Sequence, residues 1–540
     1  MNTFTKIILG LTLSVYIPIG LCAQSVWPKE IVLENGGWFI LYPLQPETLS
    51  GNQLTARGII AVSKEAKGEL VFGTIWLNAI LNTHRDVRQV NLENIRITTI
   101  RFPPVDESWL DKDLEPLLQR AVARQSLTIS VDELNTSLES YRKNNQPDFN
   151  NTPPEIIYTQ QPTTLVRIDG QPFIQYDEYL AIDRVGNTPF VMVQEPNTKQ
   201  YYLYSNRYWY QSNSINSGRV PGGKLHCTIR KVNRKLRKME TKHEEKPTVP
   251  PNIVVRTHPA ELIQTEGAPQ LAPIDNTKLL FVTNTNDPIF MDIASQQYYV
   301  VLAGRWYKSS QLNGPWYYVY IEALPVDFAR IPENSEKRDV LTYVPGTKAA
   351  REATMDAQVP QTARVDRRRT TCQVVYDGEP QFEPIAGTHV FLAVNASGTV
   401  LQIGNLYYCI DNGVWFMANQ ATGPWSVAIE RPVDVDLIPP SSAAYPARYV
   451  YIYDVTPDFV YMGYTAGYLG CYVYGPTVVY GTGYASHAWF GRVYYPRPVT
   501  WGFSMYYDPW AGWTIGVNIG WFYIFNSHPR HWNWWGPSLY

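Results

Sequence analysis

The stretch PTTLVRIDGQPF, Pro162–Phe173, decides how this chain is read, because its pattern returns twice. A run of β-formers meets an acidic-Gly-x-Pro turn at Asp169-Gly170 and Pro172. PAELIQTEGAPQ repeats the turn with Glu266-Gly267 and Pro269, and CQVVYDGEPQF repeats it with Asp377-Gly378 and Pro380. From each turn Gly it is 17 residues to an Asn, reaching Asn187, Asn284 and Asn395. A Trp set among aromatic or apolar neighbours follows at 39, 39 and 37 residues, at Trp209, Trp306 and Trp415. Two spacings held across three copies identify an internal repeat. In the last two copies a Gly-Pro-Trp follows 10 residues later, at Trp316 and Trp425, whereas the first copy carries SINSGRVPGG instead.

One copy reads as a small antiparallel meander. LLFVTNT is a strand, and PIFMDIASQQYYVVLAGRWYKSS gives three more, with turns at ASQQ and AGR. At about 70 residues a copy lies near the lower limit of independent stability, so the copies are expected to pack on one another.

Working outward, the expected organisation is a signal peptide over residues 1–23 and an N-terminal α+β domain over 24–150. β repeats cover 155–222, 252–332 and 365–440. A charged linker spans 223–251, a helical connector spans 333–364, and an aromatic, Gly-rich β region spans 441–540. The fold class is therefore mainly β and multidomain. Lys6, the apolar run IILGLTLSVYIPIGL and the small-residue site at Ala23 make the export signal. Pro18 and the short apolar core argue against a retained span, so the mature chain is read without a transmembrane segment. The N-terminal domain combines strands with two helices, opening at Ser108 with Asp111 and at Ser130 with Glu133, both like capping boxes.

Composition narrows the function classes. Charge is nearly balanced, 46 basic against 48 acidic side chains, which gives no electrostatic case for nucleic acid. The basic run in KLHCTIRKVNRKLRKMETKHEEKP reads as a solvated helical linker. Aromatic content is high, with 38 Tyr and 17 Trp. The last hundred residues hold 17 of those Tyr and 8 of the Trp, with only four Arg and three Asp for charge. There WTIGVNIGWFYIF alternates as a strand with a thin Gly-rich face, suited to sheet packing, ligand contact or self-association. Cys372 and Cys409 lie in one repeat and form a candidate disulfide. No zinc spacing, no Gly-x-Ser-x-Gly and no phosphate-cradling loop occurs, so no catalytic, metal or cofactor site is expected. His528 and His531 lack further ligands.

The opening VWPKEIVLENGGWFILYPLQPETLSGNQLTARGIIAV resembles the start of a group of exported bacterial proteins. So do LVRIDGQP, GRWYKSSQLNGPW and the tail GYLGCYVYGPTVVYGTGY. That group carries the label carbohydrate-binding family V/XII. Small chitin-binding modules of the family carry Gly-x-x-Tyr after a strand and a later Pro-Trp. Gly304-Arg305-Trp306-Tyr307 with Pro315-Trp316 is similar to this. Gly413-Val414-Trp415-Phe416 with Pro424-Trp425 is less so, and the first copy has NRYWYQ with neither feature.

The resemblance implies non-catalytic binding of a chitin- or peptidoglycan-like polysaccharide by a protein exported to the periplasm, outer envelope or medium. A pyranose stacks its C–H face on an aromatic ring while polar groups orient its hydroxyls. The candidates are Trp306, Tyr307, Asn313, Trp316, Trp415, Phe416, Trp425 and Trp209. The competing reading makes the same rings the core of small modules, with at least one of Trp306 and Tyr307 facing outward as strand neighbours do. On that reading the chain is an envelope scaffold that associates through its C-terminal region. A glycan-processing enzyme is the third alternative, since a carboxylate pair forms only in the fold.

Overall fold

The computed structural model describes residues 27–485 apart from 66–67, 85–88, 104–113, 126, 189, 217–219 and 240–247, together with four short strands beyond them. The proposed signal peptide, the Ser108–Asp111 helix start, residues 517–540 and both C-terminal His lie outside these residues. The fold is mainly β and multidomain, and it divides into two compact units, one built chiefly on residues up to Tyr141 and one on Arg142 onward.

The first unit is α+β. One sheet holds β1 (Lys29–Val32), β2 (Trp38–Ser50), β3 (Gln53–Ser63), β4 (Val71–His84), β5 (Gln89–Arg101) and β6 (Leu127–Ser130) in chain order. Helix α1 (Leu114–Ala123) buries Leu114, Leu118, Ala121 and Val122, the stripe its sequence spacing predicts. Helix α2 (Val131–Asn145) starts where expected. The Glu133 backbone N–H donates to Ser130 Oγ at 3.0 Å, which satisfies one open amide of the first turn.

The second unit opens with β7 (Glu155–Thr159) and β8 (Thr163–Arg167). Module 1 follows as a six-stranded meander: β9 (Ile174–Asp177), β10 (Ile182–Val185), β11 (Val191–Gln194), β12 (Tyr201–Ser205), β13 (Tyr208–Ser212) and β14 (Val220–Pro221). Helix α3 (Cys227–Met239) leads to β15 (Asn252–Arg256) and β16 (Ala260–Gln264). Module 2 repeats the meander with β17 (Leu271–Pro273), β18 (Leu279–Val282), β19 (Ile289–Asp292), β20 (Gln297–Leu302), β21 (Arg305–Ser309) and β22 (Tyr317–Tyr318). After α4 (Lys348–Asp356) and β23 (Gln361–Asp366), module 3 repeats it again. Its strands are β24 (Phe382–Pro384), β25 (Val390–Ala393), β26 (Thr399–Ile403), β27 (Leu406–Asp411), β28 (Val414–Ala418) and β29 (Ser426–Val427).

The C-terminal β region begins with hairpins β30 (Val450–Val455)/β31 (Phe459–Tyr464) and β32 (Cys471–Tyr474)/β33 (Thr477–Tyr480). Two further hairpins follow: β34 (Trp489–Phe490)/β35 (Val493–Tyr494) and β36 (Ser504–Asp508)/β37 (Gly512–Gly516).

The strands that precede modules 1 and 2 bind each other reciprocally. β7 pairs in parallel with β16, Glu155 opposite Ala260, while β8 pairs in parallel with β15, Thr163 opposite Asn252. Counted back from the turn glycines Gly170 and Gly267, β7 matches β15 and β8 matches β16. The pairing is thus that of two like objects about a pseudo-twofold. Glu155 reinforces it, receiving Arg256 Nε at 2.6 Å, Arg256 Nη2 at 2.8 Å and His258 Nε2 at 2.8 Å. The hydrogen bonds from Arg256, with a smaller contribution from His258, hold the Glu155 carboxyl down at about 2.

The connectors differ from expectation. The basic run is helix α3, but it is not solvated all round: Ile229, Val232 and Leu236 are buried against the module 1 sheet. Spacings of three and four put these three on one face, and the charges occupy the other.

Candidate functional site

The repeated turn explains its own spacing. Gly170, Gly267 and Gly378 hold φ of +74°, +79° and +81°, values glycine reaches without steric cost. The Asn 17 residues later braces that turn. Asn187 Nδ2 donates to the carbonyls of Asp169 (2.7 Å) and Gln171 (2.8 Å), and its Oδ1 accepts the Phe173 N–H at 3.2 Å. Asn284 does the same with Glu266, Ala268 and Gln270. Asn395 does so with Asp377, Glu379 and Gln381. Two donors and one acceptor in a fixed geometry are what an amide supplies and a carboxylate does not. These Asn are therefore structural braces.

The repeated Trp has a second common task. Trp306 Nε1 donates to the Tyr343 carbonyl at 2.8 Å, and Trp415 Nε1 donates to the Val450 carbonyl at 3.0 Å. In module 1, Trp209 Nε1 donates to Asn233 Oδ1 on α3 at 3.0 Å. In each copy one ring pins the sheet to the segment that follows it.

That geometry corrects the expected sugar platform. Trp306 and Tyr307 do face opposite sides of the sheet, but both sides are covered. Trp306 packs with Phe290, Phe328 and Val340 under the 3-10 segments of the connector. Tyr307 packs with Ile156 of β7, Ile263 of β16 and Trp316 beneath the reciprocal strand pair. Relative exposure is 1% for Trp306, 0% for Tyr307, 7% for Trp316, 0% for Trp415, 2% for Phe416, 7% for Trp425 and 7% for Trp209. Seven of the eight candidates are interior, and only Asn313 is exposed. A ring enclosed on both faces offers a ligand no stacking surface.

Cys372 and Cys409 are both buried and both are free thiols. A hydrogen bond with Cys372 and burial push the Cys409 thiol well above its usual pKa, which disfavours the nucleophilic thiolate.

The Gly-Arg step has its own reason. Ala303 and Gly304 have φ of +49° and +76°, the two positive values of a type I′ hairpin turn. Module 1 makes the same turn with Asn206 and Arg207, so it lacks the Gly but keeps the conformation. Module 2 needs Gly for space, because a Cβ on Gly304 would stand 2.5 Å from the Val478 carbonyl of β33. Beside it Arg305 is 1% exposed. Its guanidinium donates to the carbonyls of Tyr480 and Gly481 at 2.8 Å and to Asn151 Oδ1 at 2.9 Å. Burial lowers the pKa of this cation, and nearby tyrosines, led by Tyr307 and Tyr318, oppose the shift. The β32/β33 hairpin is thereby fastened to module 2.

No family model, no curated protein and no solved structure matches this chain.

Among the described residues no cluster of His, Cys, Asp and Glu is arranged to hold a metal ion. No helix among them is long and apolar enough to cross a membrane. A groove of about 230 Å³ between β1 and α1 of the first unit is lined by Ile31 to Glu34 and by Leu117, Ala121, Arg124 and Gln125. Its one carboxylate, Glu34, is already paired with Arg120 and Arg124 at 3.1 and 2.8 Å.

One repeated element goes beyond the sequence reading. Pro325-Val326-Asp327 and Pro432-Val433-Asp434 each open a 3-10 segment, Val326–Arg330 and Val433–Leu437, and Ile-Pro follows both. Phe328 and Val435, at matched positions, are fully buried. Recurrence of Pro-Val-Asp 9 and 7 residues after Trp316 and Trp425 was the available signal.

Proposed function

We propose that this chain is a non-catalytic, exported structural protein of a cell envelope, whose modules are fused into one load-resisting body. The carrying observation is that the repeated Trp residues each donate an indole N–H to the next connector and are enclosed on both faces. Repetition of a buried pin is what a repeated architecture requires. Repetition of a binding platform would instead keep a ring face open to the ligand. The export signal read from Lys6 to Ala23 supports the location.

Weak polysaccharide binding is the second reading, and a different set of groups supports it. Tyr317 and Tyr320 are 60% and 69% exposed on module 2, next to the exposed Asn313. Sedimentation with insoluble chitin, cellulose and peptidoglycan separates the two. The structural reading expects the chain to stay in the supernatant with all three. Retention that is lost in a Tyr317→Ala/Tyr320→Ala variant would replace it with the second.

A further inference from the structure

The reciprocal pair joining modules 1 and 2 has an unfinished counterpart in module 3. Counting back from the turn glycines, Thr371–Val375 occupies the position of β8 and β16, and Ala363–Arg367 that of β7 and β15, with no gap. The second of these positions is filled, because β23 pairs antiparallel with β31. The first is not. In module 1, Ile168 N–H donates to the Arg256 carbonyl at 2.9 Å, so residues at even distances from the turn Gly point at the partner strand. In module 3 those residues are Cys372, Val374 and Tyr376. The opposite edge is bonded within the module: Ser397 N–H donates to the Val375 carbonyl at 2.8 Å and Asp377 N–H to the Asn395 carbonyl at 3.0 Å. Among the described residues no hydrogen bond reaches the backbone of Cys372 or Val374. Gln373 and Val375 stand exposed on the solvent face.

An open row of backbone donors and acceptors is a template for another strand. We propose that this edge takes a second copy of the chain, with Thr371–Val375 of two molecules pairing antiparallel about a twofold axis at Gln373. Charge selects that partner and that direction. The stretch begins at Arg367-Arg368-Arg369 and ends at Asp377-Gly378-Glu379, with Arg368, Arg369, Asp377 and Glu379 exposed; Arg368 and Arg369 make only solvent-screened surface ion pairs, with Asp458 at 3.0 Å and Asp366 at 3.8 Å. Antiparallel pairing lays the basic turn of each copy over the acidic turn of the other, while parallel pairing would align like charges. The contact is isologous and closes at two copies, so it does not propagate into a fibre. The β7-type strands of this chain, which occupy the matching edge in modules 1 and 2, are all engaged already.

Sedimentation velocity on the full chain across a concentration series should find a species of twice the chain mass. Two variants alter only exposed charges: Arg368→Glu/Arg369→Glu and Asp377→Arg/Glu379→Arg. Each alone should be monomeric, and an equimolar mixture should recover the dimer, because each restores the opposite charge to the other. Independently, Gln373→Cys should give a disulfide-linked dimer on mild oxidation, since the two positions meet on the axis. A wild-type monomer at every concentration overturns the proposal. So does a dimer that ignores both charge reversals, which would place self-association elsewhere, for instance in the C-terminal region. Cross-linking of Gln373→Cys no faster than of a Cys placed at exposed Glu65 also counts against it.

Discussion

A single indole in each module carries two duties, filling the core and closing one hydrogen bond to the next segment. Trp306→Ala should therefore destabilise the second unit by about 3–5 kcal/mol, the range for emptying a large buried aromatic site. Trp306→Phe keeps most of the volume but leaves the Tyr343 carbonyl without its 2.8 Å donor, so the loss should be about 1–3 kcal/mol. Urea unfolding followed by tyrosine and tryptophan fluorescence distinguishes the two. The Asn braces offer a graded comparison, since Asn187 and Asn395 are 2% and 0% exposed while Asn284 is half-buried. Asn395→Ala should cost more than Asn284→Ala, because water can replace the bonds lost at the latter site. Equal losses in the same unfolding assay would mean burial does not govern the brace.

Between strands, the contacts depend on close approach and on charge. Gly304→Ala puts a methyl group against the Val478 carbonyl in a backbone region that side chains disfavour, so it should release the β32/β33 hairpin first. Faster amide exchange at Val478 to Tyr480, with module 1 unchanged, is the expected signature. Acid acts on a different joint. The folded Glu155 carboxyl titrates at about 2 against an ordinary 4.5, so its contribution is complete above pH 4.5 and is lost as pH falls toward 2. Protease sensitivity between modules 1 and 2 should rise through that window, and Glu155→Gln should flatten the rise.

These joints also mark where sequence reading stopped. The turn glycines, their Asn partners and the strands between them were legible, because each is a local pattern repeated at fixed distance. The burial of Tyr307 was not, since it depends on Ile156 and Ile263, which come from other parts of the chain. A period-2 pattern shows that neighbouring side chains oppose each other, but not that a strand pair covers the second face. The same limit hid the apolar face of α3, where seven Lys and Arg side chains from Lys224 to Lys238 outweigh the three buried residues in composition.

At the scale of the molecule, the three modules and the hairpins β30/β31 and β32/β33 interlock within the second unit. Arg305 reaches Gly481, 176 residues away, and Asn150 Nδ2 reaches the Gly483 carbonyl, 333 residues away. Removing residues 471–540 should leave that buried cation facing water and lower the melting temperature of what remains, as scanning calorimetry would register. The reciprocal pair has a temporal meaning as well. Neither β7 nor β8 has a ladder partner until β15 and β16, some hundred residues later, have been made. A chain is synthesised N-terminus first, so module 1 must wait half-formed, its β7 and β8 edges bare. Contacts so distant in sequence close slowly. During that interval the nascent chain is most in need of a holding chaperone, and most exposed to proteases.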